Sequence, residues 1–546
     1  MDINIKLTLN DDNGESAKRV KEAQKRKADA TETMEEAWER IFGMKNSNTD
    51  QQRLLEVRKA FKQGRIGRNP NDISKRFSKA EALRLWRELQ EKEKEGKLRD
   101  MVANTPANYH LITTTEQLRK LVQDLYEEEL IAVDTETTGI DVFGDDRIVG
   151  ISLTLPKADY HVYIPFGHNE GVQLTEEQVI TALKPRLESP SLKKVLHNAK
   201  FDIHMFYNHG VELRGLVWDT MVAMHLLNEN ENSFALKVLA TKYLKEPSDT
   251  YGDLFGKTPF YEVPLDVALV YAGKDTDLTY RLYQFQLMHL QKLPNILKYY
   301  REVENRIIDV SIEMERTGFI FDRERAKQIG AKLEKELAEI EQVLKAELGD
   351  INFNSPAQLS KRLFDELKLQ KHLPPNWKLS TDVRTLKMLA KHNKGCEQLL
   401  AYREKTKLLN TYIVALEKQI KKDGKIHGSF KQSGTVTGRF ASSDPNLQNI
   451  PSRNKEIRTL FVAPEGQVII GGDFSQQEPR LLTHFSKEKA LIDAYNNGQD
   501  LYSTMASELF GLPIEECGDG SKWRKMMKFG VLSVMYGTGA KTLAGQ

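Results

Sequence analysis

The sequence predicts a multidomain protein that combines α/β and α+β architecture, and three observations carry that reading. The chain has 546 residues, too many for one ordinary hydrophobic core. Between residues 109 and about 290, short apolar runs alternate with stretches of helical periodicity, as in a sheet flanked by helices. Beyond residue 293, long amphipathic helices lead to a short apolar run, Val468-Ile469-Ile470, then Gly471, Gly472 and Asp473. That run reads as a buried strand that delivers one carboxylate to its end, or as a strand passing into a solvated turn.

Composition narrows the function classes. Hydrophobic residues make up 40% of the chain and charged residues 29%, a soluble globular balance. The net charge of +2 gives no global basic field, so any nucleic-acid contact must come from local patches. Two cysteines, Cys396 and Cys517, form neither a disulfide framework nor a metal quartet, and a reducing compartment is expected. The first residues lack a cationic region followed by an apolar core, so no signal peptide is expected. No apolar run is long enough to span a membrane, and a membrane partner is not expected.

Residues 1–105 are polar and densely charged, and a largely helical or partly disordered extension is expected there. Residues 32–42 and 51–61 show loose helical spacing, and residues 80–98 a stronger one. Residues 58–79 are basic, with Phe61 and Phe77 interleaved. Such a stretch can touch phosphates, but a solvated extension is the simpler account.

Residues 130–136, LIAVDTE, read as an apolar strand whose alternation puts Asp134 and Glu136 on one side. Residues 148–155 and 161–164 continue as a meander, and residues 194–196 form another short strand. That strand leads to Asn198 and to Asp202, which opens a helical stretch. Tyr271 and Asp275 lie four apart on one face of a later helix. Taken singly, Asp-Thr-Glu reads also as a turn or cap, Asp202 as a helix N-cap, and Tyr271–Asp275 as a surface pair. Further on, residues 326–347 form a long amphipathic helix with Ile329, Leu333, Leu337 and Ile340 on its core face. Residues 523–537 put Arg524, Lys528, Leu532 and Tyr536 at steps of four, a stripe whose cations suit a triphosphate or a solvated face.

Three blocks in order, SGTVTGRFASSDPNLQNIP at 433–451, VIIGGDFSQQEPR at 468–480 and WRKMMKFGVLSVMYG at 523–537, resemble the family A DNA polymerases. The four carboxylates and the tyrosine upstream resemble the proofreading 3′–5′ exonucleases of that family. The resemblance implies a ribonuclease H-like exonuclease domain over residues 106–290 and a partial polymerase domain over 291–546. Within the latter it implies the start of the palm, a thumb at about 326–430, palm at about 431–490 and incomplete fingers at about 491–546. It makes Asp134, Glu136, Asp202 and Asp275 ligands of Mg²⁺ in a two-metal site, with Mn²⁺ as a substitute, and Tyr271 the residue that orients the attacking water. Asp277 competes with Asp275 but lacks the four-residue spacing from Tyr271. Asn198 would stand beside the primer terminus. Arg403, Lys405, Lys407, Asn410, Thr411 and Tyr412 would grip the duplex backbone. Arg439 would reach the minor groove at the primer end, and Asn446, Gln448 and Asn449 would touch primer and template. Asp473 would hold polymerase Mg²⁺, Glu478 would crowd a ribose 2′-hydroxyl with Arg480 in support, and Arg524, Lys528 and Tyr536 would hold the incoming nucleotide.

The sequence also departs from that family. Leu532 stands where an aromatic residue is usual, and Tyr502 where many members have histidine. The third palm block, with a second aspartate, is not found before Gln546. The expected activity is therefore DNA-directed DNA polymerisation with proofreading in DNA replication, the polymerase half depending on a second chain. A standalone 3′–5′ exonuclease and a non-catalytic DNA-binding half of a split polymerase are the alternatives. Expected partners are a DNA primer-template, a single-stranded 3′ end and dNTPs, in bacterial or phage-infected cytoplasm.

Overall fold

The computed structural model describes residues 79–451 and 454–544, so the helical and basic patches expected before residue 79 lie outside the described residues. The chain divides into two units, Met1–Val462 and Ala463–Gln546.

In the first unit, α1 (Lys79–Ala103) precedes β1 (Tyr109–Leu111), α2 (Thr115–Glu127), β2 (Leu130–Thr137), β3 (Ile148–Leu155) and β4 (Tyr160–Pro165). Then come α3 (Glu176–Leu187), β5 (Lys193–Leu196), α4 (Ala199–Asn208), β6 (Leu216–Asp219), α5 (Thr220–Leu227), α6 (Leu236–Leu239) and α7 (Leu265–Leu290). The six strands form one mixed sheet in the order β1-β4-β3-β2-β5-β6. The meander expected from the sequence is present, with β2, β3 and β4 antiparallel neighbours. β5 and β6 extend it in parallel on one side and β1 on the other.

Local signals and burial agree. Thr114 with Gln117 and Thr175 with Gln178 make reciprocal capping boxes that start α2 and α3. Every residue of β3 is buried, as expected of a strand covered on both faces. Leu121, Leu125, Ile131, Val133, Ile151, Leu153 and Phe206 share its core. α7 packs closely enough that a Cβ on Gly273 would lie 2.9 Å from the Tyr109 ring. On β3, a Cβ on Gly150 would come 2.1 Å from the Tyr163 hydroxyl, so only glycine fits opposite Glu136.

The core does not stop at α7. Tyr300, with Ile308 and Ile312 of α8 (Asn305–Thr317), packs into the same cluster, and the Tyr300 hydroxyl accepts the Asp219 N–H at 2.7 Å. β7 (Phe319–Phe321), α9 (Arg323–Leu348) and α10 (Lys394–Lys407) follow. Ile329 and Leu333 of α9 are buried as expected, and Leu337 and Ile340 are partly buried. β8 (Lys425–Ile426), β9 (Ser429–Lys431), β10 (Ala441–Ser443) and β11 (Phe461–Val462) complete the unit. They form a three-stranded sheet, β11-β7-β8, and a ribbon, β9-β10.

Glu315 of α8 ties these parts together. Its carboxylate accepts the Lys200 ammonium at 2.6 Å and the Phe430 N–H at 2.5 Å, and pairs with His204 at 2.8 Å. Burial pushes Glu315 upward, but His204 and Lys200 hold it below the usual carboxylate range. Phe143 stacks on His427 at 4.2 Å, and Lys421 pairs with Asp141 at 2.6 Å.

The second unit contains α11 (Gln477–Ser486), α12 (Lys489–Asn496), α13 (Leu501–Phe510) and α14 (Lys522–Met535). It corrects one expectation: residues 463–476 form no strand. Val468 is 79% exposed and Ile470 89%. An extended apolar run becomes a buried strand only where neighbouring strands take its N–H and C=O groups, and no described strand pairs with this one.

Replacing Glu315 removes the acceptor shared by the Lys200 ammonium, the Phe430 N–H and buried His204. Glu315→Ala is expected to cost about 3–5 kcal/mol, against about 0.5 kcal/mol or less for exposed Glu313→Ala. Denaturant unfolding of both variants checks the difference.

Candidate active sites

The first site grows from β2. Period-two alternation sends Asp134 and Glu136 to the same face, where α7 brings Asp275, one turn after Tyr271. One carboxylate oxygen from each of Asp134, Glu136 and Asp275 lies within 4.8 Å of the others. Asp202, in the first turn of α4, is not one of these three. Its Oδ1 accepts the Thr135 N–H at 3.0 Å and the Thr135 hydroxyl at 2.6 Å, and this pins it to the residue between Asp134 and Glu136. Asp277 is excluded from the cluster: it accepts from the Tyr109 hydroxyl at 3.4 Å and pairs with Arg281 at 3.5 Å.

Burial and like charge set the electrostatics. Burial raises Asp134 to about 6. Burial and the adjacent Asp134 raise Glu136 and Asp202 well above the ordinary carboxylate range. Burial, then Glu136 and Asp134, push the Tyr271 phenol up, so it remains a protonated donor. The counter-charge is Lys237 of α6, which pairs with Asp275 Oδ1 and sits 4.5 Å from the centre of the Tyr271 ring.

Two residues here went unnoticed in the sequence. Lys237 is one; its signal was a single lysine inside the apolar run FALKVL. Asp219 is the other, and its signal was an aspartate between a short strand and a helix. Its carboxylate accepts the N–H groups of Asn198, Ala199, Met221 and Val222 at 2.8–3.3 Å. That clamp holds exposed Asn198 in the left-handed conformation, φ 61°, at the start of α4. The donor set is oxygen only and anionic, which suits a hard divalent cation. Asp275 Oδ1 is engaged by the Lys237 ammonium, so an ion would meet an oxygen that already has a cationic partner.

The residues expected to serve a polymerase are distributed over both units. In the first, Arg439 is exposed, as are Asn446, Gln448 and Asn449 around a short 3₁₀ turn, Leu447–Asn449. Asn446 Oδ1 accepts the Gln448 N–H at 3.1 Å. Three residues expected to grip a duplex are otherwise engaged. Arg403 donates to the Thr381 carbonyl, Lys405 pairs with Glu336 at 2.5 Å, and buried Tyr412 donates to the Asn449 carbonyl at 2.9 Å. Lys407, Asn410 and Thr411 are exposed.

In the second unit Asp473 is exposed on the irregular segment and joins no acidic cluster among the described residues. Glu478 lies in the first turn of α11, and Arg480 sits 4.3 Å from the Tyr495 ring centre. Arg524 forks onto Asp500 at 2.8 and 3.1 Å, a partner not anticipated from the sequence. Although burial opposes it, Arg524 holds Asp500 down to about 2. Lys528 is exposed on the same helix, and exposed Tyr536 caps its end. Tyr502 is buried, with Arg524 5.6 Å from its ring centre.

A buried carboxylate cluster on a mixed sheet, with a phenol one helical turn away, has the donor set a divalent cation needs. By family comparison, residues 109–290 match the 3′–5′ exonuclease family, and residues 323–546 match DNA polymerase family A. Residues 323–546 thus belong to the family A DNA polymerases. DNA polymerase I of Chloroflexus aurantiacus is 35% identical over 455 residues, 80% of this chain and 48% of that protein. DNA polymerase I of Pseudomonas aeruginosa is 34% identical over 81% of this chain and 50% of its own length. The chain thus spans about half the length of these relatives. Among solved structures, the POL domain of Pol1 from M. smegmatis, in complex with DNA primer-template and dNTP, is 28% identical, with a TM-score of 0.66. That match covers 80% of this chain and 73% of the other. No described helix is long and apolar enough to cross a membrane.

The carboxylate strain has a stability signature in metal-free buffer. The folded Asp134 keeps its proton up to about pH 6, whereas an unfolded aspartate loses it near the ordinary value of 3.8. Between those values the folded state binds more protons, so this group's contribution falls as pH rises. Asp134→Asn should therefore gain on the parent protein between pH 4 and 7, by as much as about 3 kcal/mol. Parallel melting curves across that range measure it.

Proposed function

We propose that this chain acts on DNA 3′ ends as a proofreading exonuclease joined to a DNA-directed polymerase, with replication as its setting. The observation that carries the proposal is the convergence of Asp134, Glu136 and Asp275 within 4.8 Å, beside Tyr271 and the pinned Asp202. Mg²⁺ is the ion proposed for this oxygen donor set, with Mn²⁺ as substitute. When bound, such an ion lowers the pKa of water and offsets phosphate charge.

The protein's own groups do the rest. Asp134, Glu136 and Asp275 hold the ion, and Asp202 adds charge through an orientation set by Thr135. The protonated Tyr271 hydroxyl orients the attacking water. Asn198, clamped by Asp219, meets the terminal nucleotide of a single-stranded 3′ end. Water attacks the terminal phosphodiester, the P–O3′ bond breaks, and a 5′-nucleotide leaves. The new 3′ oxygen takes up a proton and ends the shortened strand as a hydroxyl.

For polymerisation, the primer 3′-hydroxyl attacks the α-phosphate of a dNTP and pyrophosphate leaves. Arg439, Asn446, Gln448 and Asn449 are assigned to primer and template, and Asp473 to Mg²⁺. Glu478 is assigned to sugar selection, and Arg524, Lys528 and Tyr536 to the nucleotide. Among the described residues no second carboxylate stands with Asp473, and we assign that carboxylate to a second chain, which would also cover exposed Val468 and Ile470.

The experiment is digestion and extension of a labelled primer-template with Mg²⁺, with and without dNTPs. Shortening without extension is expected, reduced about a thousandfold or more by Asp134→Ala. Thr135→Val should reduce it by about 10- to 100-fold, as for other residues that orient ligands. Extension by the chain alone would overturn the need for further polypeptide. Shortening that persists in Asp134→Ala would overturn the exonuclease assignment.

A further inference from the structure

Lys237 is an unusual neighbour for a metal site. It sits on α6, between Leu236 and Leu239, and is only 9% exposed. Its ammonium pairs with Asp275 Oδ1 and lies over the Tyr271 ring. Asp134 and Glu136 are close enough to pull its proton affinity up, although burial lowers it overall to about 8. A lysine buried this deeply would ordinarily be costly, but so would an uncompensated group of buried carboxylates. Each makes the other tolerable.

Resting on the exonuclease reading, we infer that Lys237 is the internal counter-ion of the carboxylate site and competes with the divalent cation for Asp275. The argument is one of shared ligand and like charge. Asp275 Oδ1 is the oxygen that pairs with Lys237, and Asp275 is also one of the three carboxylates that could converge on an ion. A divalent ion bound there would face the ammonium across a few ångströms in a poorly screened pocket, where like-charge repulsion is strong. The ammonium must therefore leave Asp275 as the ion arrives. Lys237 thereby lowers the site's affinity and sets the concentration of free ion at which it fills. Without metal it prevents the carboxylates from repelling each other open. Lys237 is in this sense a positioning residue for the ligands, not a group that touches substrate.

The test is direct binding of Mn²⁺ alone, read by electron paramagnetic resonance of the free ion, with the whole chain at pH 7. Asp275→Asn defines the signal of this site. If it leaves Mn²⁺ binding unchanged, the metal-site reading itself fails. Where Asp275→Asn removes a binding class, Lys237→Met and Lys237→Gln should tighten that class by about tenfold or more. Lys237→Arg, which keeps the charge, should not. The neutral variants should also melt lower than the parent without metal and gain more on adding Mn²⁺. Equal or weaker Mn²⁺ binding by a folded neutral variant, with the Asp275-dependent class intact, would overturn the proposal.

Discussion

Repulsion among Asp134, Glu136, Asp202 and Asp275 is the constraint around which the first unit is arranged. Carboxylates enclosed together cannot all ionise cheaply, and the raised affinities of Asp134, Glu136 and Asp202 for protons express that strain. Loose elements would relieve it by moving apart. They are prevented by a sheet whose central strand is buried throughout and by α7 packed closely over it. Thr135 fixes Asp202 with two hydrogen bonds, and Lys237 supplies an opposite charge. The strain thus persists until something with more charge than an ammonium enters.

The second unit works differently. Arg524 and Asp500 satisfy each other in a forked pair, and Asp500 also caps α13 through the Ser503 N–H. A guanidinium already paired must exchange one anion for another to bind a triphosphate, so its interaction is conditional where the first site's is built in. Asp473, exposed and away from any acidic cluster among the described residues, carries no comparable strain.

Much of the exonuclease domain was legible because its signals are local. Alternation in LIAVDTE put Asp134 and Glu136 on one face, and the four-residue interval from Tyr271 to Asp275 selected Asp275 over Asp277. β3 matched its apolar run residue for residue. What the sequence hid depends on contacts between distant segments. Lys237 reads as one more lysine until α6 folds onto α7, and Asp219 as a turn residue until its carboxylate gathers N–H groups from two helices. The apolar run at Val468 shows the converse error. Periodicity describes what a segment can become, whereas a strand also needs partners, and here none of the described strands provides them.

Glu315 gives the two halves of the first unit a common stability. It belongs to α8, beyond the matched exonuclease residues, yet its partners Lys200 and His204 belong to α4, the helix that carries Asp202. Phe430, which donates to the same carboxylate, lies on β9, paired with the ribbon strand that precedes Asn446. Glu315, together with the hydrogen bond from Lys200 to the Phe430 carbonyl, therefore connects the helix bearing Asp202 to the segment bearing the polar row from Asn446 to Asn449. Removing Glu315 would leave the Phe430 N–H and His204 Nε2 without their shared acceptor, while Lys200 would keep the Phe430 carbonyl. The helix that carries Asp202 and the segment that carries that polar row are thus held by a common group of contacts around Glu315.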